Sequence, residues 1–328
     1  MGGRIHRKDG RGYRRAVRLR RQQRGVVAVI GTLLALLLFF ALFGVFLTQY
    51  LPLWMTDNEV QFTSQAQQSL ASLKSYVDVQ YQLRGPSAVA VPFTMESQGV
   101  PLLASPSGAQ LSFTPITPGV FACISVTSPL LCTNPAAAPH GQEPLYNVTL
   151  GTLSMFLGNR YYPAQTFSYE DDAVIQSQSP TQQIVVYSPL FDLNTLGGTL
   201  NVTTTLLQLY GNATTTVSSG VQQVFSHYKF TAPYSKANYT TGFQLTFAIG
   251  TLFPCAWSLY LGSLVSEAGI PAGQYTLTEG GTVVAPFAQC PFFSGDQVVP
   301  VSLTLSVVNY LTLFFAGTQL SIGVGGGG

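Results

Sequence analysis

Val26-Val-Ala-Val-Ile-Gly-Thr-Leu-Leu-Ala-Leu-Leu-Leu-Phe-Phe-Ala-Leu-Phe-Gly-Val-Phe-Leu47 carries no charge. About 22 apolar residues are enough to cross a bilayer as a helix. A cleaved secretory signal has a shorter apolar region followed by small residues, and Thr48-Gln-Tyr-Leu-Pro52 offers no such site. The stretch therefore reads as a transmembrane helix over 26–51. Immediately before it, residues 1–25 hold ten of the fifteen Lys and Arg, Arg4 to Arg24. The remaining chain has five basic against twelve acidic residues, a formal charge of −7. A basic head can bind nucleic acid, but its place directly before an apolar run points to membrane topology instead. Positive charge stays in the cytoplasm, so the N-terminus is expected inside and everything after the span outside. The basic segment has no apolar face and reads as a disordered leader. Membrane lipid is the first expected partner, and no nucleic acid is expected.

Working outward, Pro52 is expected to kink or end the helix. Thr56-Asp-Asn-Glu59 then reads as a capping box opening a second helix. Phe62, Ala66, Leu70, Leu73, Val77 and Tyr81 follow at helical spacing, one apolar stripe. Arg84-Gly-Pro86 ends it. Residues 52–86 thus read as an amphipathic stalk, whose capped helix of about 27 residues is about 40 Å long. Its stripe must pack on its own head or on a neighbouring subunit.

From Ser87 the composition turns to Thr, Val, Ser, Tyr and Phe with Pro/Gly punctuation, the pattern of many short strands. Candidate strands are 110–115, 119–126, 147–156, 165–169, 172–178, 182–188, 198–210, 213–231, 241–250, 274–279, 282–286 and 298–315. In the last, Val301, Leu303, Leu305 and Val307 alternate with Ser302, Thr304 and Ser306. That period of two argues for a strand or hairpin and against a second membrane span. Residues 87–322 read as a β-rich extracellular region, one sandwich or two with a break near 190–200, ahead of a flexible Gly-rich tail, 323–328. The expected fold class is α+β: a long N-terminal transmembrane and amphipathic helix followed by an all-β, sandwich-like region.

Only 9% of residues are charged, against about 25% in ordinary soluble proteins. Cys123, Cys132, Cys255 and Cys290 lie in the exported part and are disulfide candidates, with 123–132 and 255–290 the simplest of three connectivities. Asn147, Asn201, Asn212 and Asn238 each open an N-x-Thr sequon and are glycosylation candidates. No nucleophile elbow, zinc-protease motif, Walker loop or dinucleotide fingerprint occurs. His140 and His227 have no acidic neighbour and read as surface residues. Glu170-Asp-Asp172 is the one carboxylate cluster. It is suited to Ca²⁺ or, with Asp192, to glycoside hydrolysis, but it reads first as a solvated turn between two strands. Tyr161, Tyr162, Phe167 and Tyr169 are suited to a sugar platform, and in a strand they read first as core. No catalytic residue, metal or cofactor is expected, and the chain reads as a non-enzyme.

Arg24-Gly-Val-Val-Ala-Val-Ile-Gly31-Thr resembles the N-terminal segment of archaeal type IV pilins. There a basic and a small residue precede a V-x-x-V-I-G stretch. The resemblance implies cutting by a membrane prepilin peptidase between Gly25 and Val26, with Arg24 holding the site at the membrane surface. It also implies pilus assembly machinery as partner and a homopolymer whose apolar helices bundle at the filament centre. Ile30 stands where bacterial pilins carry glutamate, so the likeness is to the archaeal branch. The tract Asn159-Arg-Tyr-Tyr-Pro-Ala-Gln-Thr-Phe-Ser-Tyr-Glu170 is similar to stretches of large archaeal pilin-like proteins. The functional expectation is a membrane-anchored surface protein of an archaeon, a filament subunit or adhesin. The alternative is a signal-anchored extracellular binding module or hydrolase that is not assembled.

Overall fold

The computed structural model describes residues 29–85, 88–126, 132, 145–217, 219–238, 240–286 and 297–323. They form two compact units, one ending at Asp57 and one covering Asn58–Gly328. A single helix, α1 (Val29–Leu83), contributes to both.

In the first unit, α1 is apolar on every side from Val29 to Leu47. Its most apolar window has a mean hydropathy of 2.7, and none of it is buried. Leu33, Leu37, Phe40 and Leu42 are each exposed. The expectation that Pro52 kinks or ends the helix is corrected. Residues Phe46–Tyr50 form a π-helical turn, and the Leu51 N–H reaches back five residues to the Phe46 carbonyl. Proline lacks an N–H and its ring crowds the carbonyl four residues back. A wider turn just before it makes room, so the helix continues. The capping box is corrected too. Thr56 sits inside the helix and its hydroxyl donates to the Pro52 carbonyl (2.9 Å), the back-bonding that helical threonines favour.

Among the described residues, the second unit holds the rest of α1, seventeen strands and helix α2 (Pro254–Glu267). One sheet has the order β1 (Ala88–Thr94), β12 (Val221–Ala237), β17 (Tyr310–Gly323), β10 (Thr199–Tyr210), β9 (Phe191–Leu196). A second runs β11 (Thr214–Val217), β2 (Ala109–Thr114), β5 (Thr152–Leu157), β6 (Gln165–Glu170), β7 (Ala173–Ser179), β8 (Gln182–Tyr187). The third runs β15 (Thr282–Val283), β14 (Tyr275–Glu279), β16 (Val299–Val308), β13 (Phe243–Thr251), β3 (Phe121–Ser125), β4 (Tyr146–Thr149). Neighbours are antiparallel except β10 and β17. The architecture is a long apolar helix followed by a sandwich-like β-rich domain.

The 298–315 candidate is two strands in different sheets. The chain changes sheet at Asn309, whose side-chain oxygen accepts the Leu200 N–H (2.9 Å). The 147–156 candidate likewise divides into β4 and β5 at Leu150-Gly151. A side chain at Gly151 would meet the Pro115 carbonyl at 2.7 Å, so only glycine allows that crossing. The turn-rich stretch near 190–200 is the β9–β10 hairpin, closed by Gly197 and Gly198 at φ +60° and +81°.

The stripe read from the sequence packs on its own head. Phe62, Ala66, Leu70, Leu73, Val77 and Tyr81 are buried in one cluster with Phe93, Leu111, Phe113, Met155 and Phe167. Opposite them Val60, Tyr76 and Val79 stay exposed. A second cluster joins α2, through Trp257 and Leu261, to Phe247, Ile249, Leu303 and Leu313. Leu70 is fully buried, so Leu70→Ala should cost about 2–5 kcal/mol. Val79→Ala on the exposed face should stay within about 0.5 kcal/mol. Denaturant titration of the full chain in detergent checks both.

Candidate functional site

Strands β6 and β7 meet at a two-residue turn, Asp171-Asp172, with φ of 44° and 63°. Aspartate tolerates this left-handed backbone better than most residues. The expected solvated turn is corrected: Glu170, Asp171 and Asp172 are all buried. The reason is that α1 and α2 carry donors to this turn. Lys74 of α1 bridges Asp78 (2.9 Å) and Asp172 (3.0 Å). Asp172 also accepts from the Tyr169 hydroxyl (3.1 Å) and the Leu190 N–H (3.2 Å). Asp171 accepts the Leu207 N–H (2.8 Å). Glu170 accepts from the Thr251 hydroxyl (2.6 Å), the Trp257 indole N–H (3.2 Å) and, more distantly, Thr152.

Burial pushes the Glu170 carboxyl up to about 7, against the pull of its Thr251, Trp257 and Thr152 donors. Burial also raises Asp172 to about 7, opposed by the Lys74 charge and reinforced by Asp78. Asp171 stands well above its ordinary value, from burial foremost, with Asp172 and Glu170 adding to it and the Leu207 amide opposing. For Lys74, burial acts downward, but the charges of Asp172 and Asp78 outweigh it and its pKa rises.

Glu59 makes a second buried junction. Its carboxylate accepts the Ser107 hydroxyl (2.5 Å) and the backbone N–H groups of Arg160 (2.9 Å), Tyr161 (2.7 Å) and Tyr162 (2.6 Å). Burial alone would raise its pKa, but these four donors together lower it. The residue read as a cap therefore ties α1 to the 158–163 loop.

Every carboxylate here is met by donors of the protein itself. Such groups hold elements in register. Among the described residues, no group of three or more His, Cys, Asp or Glu is placed to hold a metal. Asp192 lies on β9 and His227 on β12, and His140 lies outside the described residues. Phe167 and Tyr169 are core, as read, whereas Tyr161 is partly exposed. A pocket of about 310 Å³ lined by Tyr81, Gln82, Arg84, Leu190, Thr231 and Phe314 adjoins the acidic turn. Tyr81 lines it and donates to Asp78 (3.2 Å).

Cys123 and Cys132 form a disulfide with Cα atoms 5.5 Å apart, and Cys255 is also disulfide-bonded. Cys290 lies outside the described residues, as do the processing residues Arg24, Gly25 and Val26. Asn147 on edge strand β4 and Asn212 in the turn before β11 are exposed. Asn201 is half-buried in the interior strand β10. Asn238 is half-buried, and its amide nitrogen already donates to Thr241 (3.0 Å) and the Gly242 carbonyl (3.2 Å).

Comparison with protein-family models, curated proteins and solved structures returned no match.

A carboxyl whose pKa rises on folding binds its proton more tightly in the folded state. Its contribution therefore favours folding as pH falls through about 7 and is lost as pH rises. Glu59 acts oppositely, with a contribution present above the ordinary carboxylate range and lost below it. Between pH 5 and pH 8 the turn dominates, so the denaturation midpoint should be higher at pH 5. Glu170→Gln keeps an acceptor for Thr251 and Trp257 and should flatten that dependence. Glu170→Ala leaves both donors unpaired, at about 1–3 kcal/mol each. Trp257 fluorescence during unfolding reads all three. If glycans are attached to the folded chain, peptide mass spectrometry should find them at Asn147 and Asn212 and not at Asn238.

Proposed function

We propose that this chain is a membrane-anchored, pilin-like surface protein, with its β-rich domain outside the cell. The observation that carries the reading is the division of α1. From Val29 to Leu47 it is apolar on all sides and no residue is buried, whereas from Phe62 to Tyr81 it spends its one apolar stripe on its own head. The first half thus needs an apolar partner, which lipid or a bundle of identical helices supplies. Disulfides at Cys123–Cys132 and Cys255 fit an oxidising exterior, and the ten basic residues before the span fit a cytoplasmic N-terminus.

In this reading a prepilin peptidase cuts after Gly25, and pilus assembly machinery draws the processed helix from the bilayer. Contacts between helices then replace contacts with lipid, and a head-to-tail contact that does not close gives an open filament. The head forms the outer sheath and serves adhesion or display. Because the stripe from Phe62 to Tyr81 is already covered, assembly falls to the half of α1 before Asp57. We favour a structural over an enzymatic role because Glu59, Glu170, Asp171 and Asp172 are each held by internal donors.

A second reading is an uncleaved anchor carrying a binding module, favoured by the pocket beside Arg84 and Tyr81. Mass spectrometry of the mature N-terminus separates the two. Pilin-type processing predicts a chain beginning at Val26, together with surface fibres by electron microscopy that vanish when the span is deleted. An intact Met1 and no fibres would overturn the filament reading and leave the anchored module.

A further inference from the structure

The segment Gly99-Val-Pro-Leu-Leu-Ala-Ser-Pro106 is a built hairpin tip. Val100 and Ala104 exchange backbone hydrogen bonds (3.0 and 2.9 Å), and the Leu103 N–H also donates to Val100 (3.0 Å). Its most prominent side chain is Leu102, fully exposed at 106% of the reference area, with Leu103 also exposed. Leu102 adopts φ 67°, a left-handed conformation that leucine avoids and glycine accepts. A strained residue that also presents a bare apolar side chain to water invites a functional explanation.

The position of the tip supplies one. Asn58, the first residue of its unit, donates to the Gln98 carbonyl at the base of this hairpin (2.8 Å). Glu59, next in the chain, holds Ser107 at the other base and the Arg160–Tyr162 backbone. Arg160 donates to Ser105 of the tip (2.9 Å), and the Tyr161 ring is 43% exposed beside it. The tip therefore belongs to the end of the head at which the chain arrives from the span. Tyr50 and Trp54, both exposed on α1, are the residue types that sit at the headgroup level of a bilayer. Asn58 is only four positions beyond Trp54, a stretch that in any conformation reaches at most about 14 Å.

We propose that the 99–106 hairpin is a membrane-contact element. Leu102 and Leu103 enter the acyl-chain boundary of the leaflet from which α1 emerges. Arg160 and Tyr161 lie among the lipid headgroups. The occupant is lipid rather than a second protein because the base of the hairpin is held by Asn58 and Glu59, within a few residues of the span's aromatic end. An apolar side chain flanked by one Arg and one Tyr matches the composition of an interfacial anchor. Together with α1 it gives the chain a second point of attachment to the bilayer. This rests on reading α1 as a membrane anchor.

The test uses the full chain, with its disulfides kept oxidised, in phosphatidylcholine vesicles. Leu102→Cys, Leu37→Cys and Leu196→Cys are each spin-labelled, and collision with oxygen is compared with collision with an aqueous nickel complex. Leu196 is also an exposed leucine, at 71%, in the β9–β10 hairpin. That hairpin follows Leu190, whose N–H donates to Asp172, and Asp172 in turn is bound by Lys74, well along α1 from Glu59. The expected result is a lipid-type oxygen preference at 37 and 102, with the ratio at 102 several-fold above that at 196. Equal ratios at 102 and 196, with 37 deep in lipid, overturn this inference and leave the anchor standing. A label at 37 that behaves as aqueous overturns both. Loss of access to both reagents at 102 marks contact with protein, most simply a second copy, and overturns the lipid assignment.

Discussion

A helix that is greasy on every side cannot remain in water, and the organisation of this chain follows from that. From Val29 to Leu47 α1 offers no polar face, so its surface must meet lipid or other helices. From Phe62 to Tyr81 the same helix is amphipathic and its apolar stripe is closed over by β-sheet. One element thus answers to two solvents. The junction falls where Pro52 would ordinarily break the backbone ladder. The π-turn at Phe46–Tyr50 and the Thr56 back-bond keep its carbonyls and amides paired there, and an unpaired group would be costly at the edge of lipid.

Given a helix that must be held firmly, the head fastens it with charge rather than grease alone. Glu59 grips the 158–163 loop at one place, and Lys74 joins Asp78 to Asp172 at another. Glu59, Glu170, Asp171, Asp172 and Glu279 are all buried, a large share of the twelve acidic residues outside the leader. The low surface charge of the domain is therefore partly a matter of where its acids went. A buried carboxylate with matched donors specifies one arrangement, because any shift leaves donor or acceptor unpaired. Burial raises the carboxyl pKa of Glu170, Asp171, Asp172 and Glu279 above the ordinary value.

The sequence made some of this plain and hid the rest for identifiable reasons. The stripe Phe62-Ala66-Leu70-Leu73-Val77-Tyr81 was legible because one buried face imposes a helical period, and the strands because their faces alternate. Strand β1 was missed because Pro92 reads as a breaker. It is tolerated there because β1 is an edge strand of its sheet. Helix α2 was missed because most of Pro254–Val265 is buried, which erases the polar face that would mark a helix. Glu59 read as a cap from spacing alone, and Glu170-Asp-Asp172 read as a wet turn because three acids in a row ordinarily are. Their burial depends on Lys74, Leu207, Thr251 and Trp257, partners 36 to 98 residues away, which no local pattern reports.

The central claim is that α1 holds the chain in a membrane with the β-rich domain outside, and its most direct test is topology in intact cells. A cysteine placed at Leu196 is treated with a membrane-impermeant maleimide before and after lysis, and the alkali-washed membrane fraction is analysed. The account predicts full labelling before lysis, on protein that pellets with membrane. Labelling only after lysis, or recovery of the full-length chain in the soluble fraction, would contradict it.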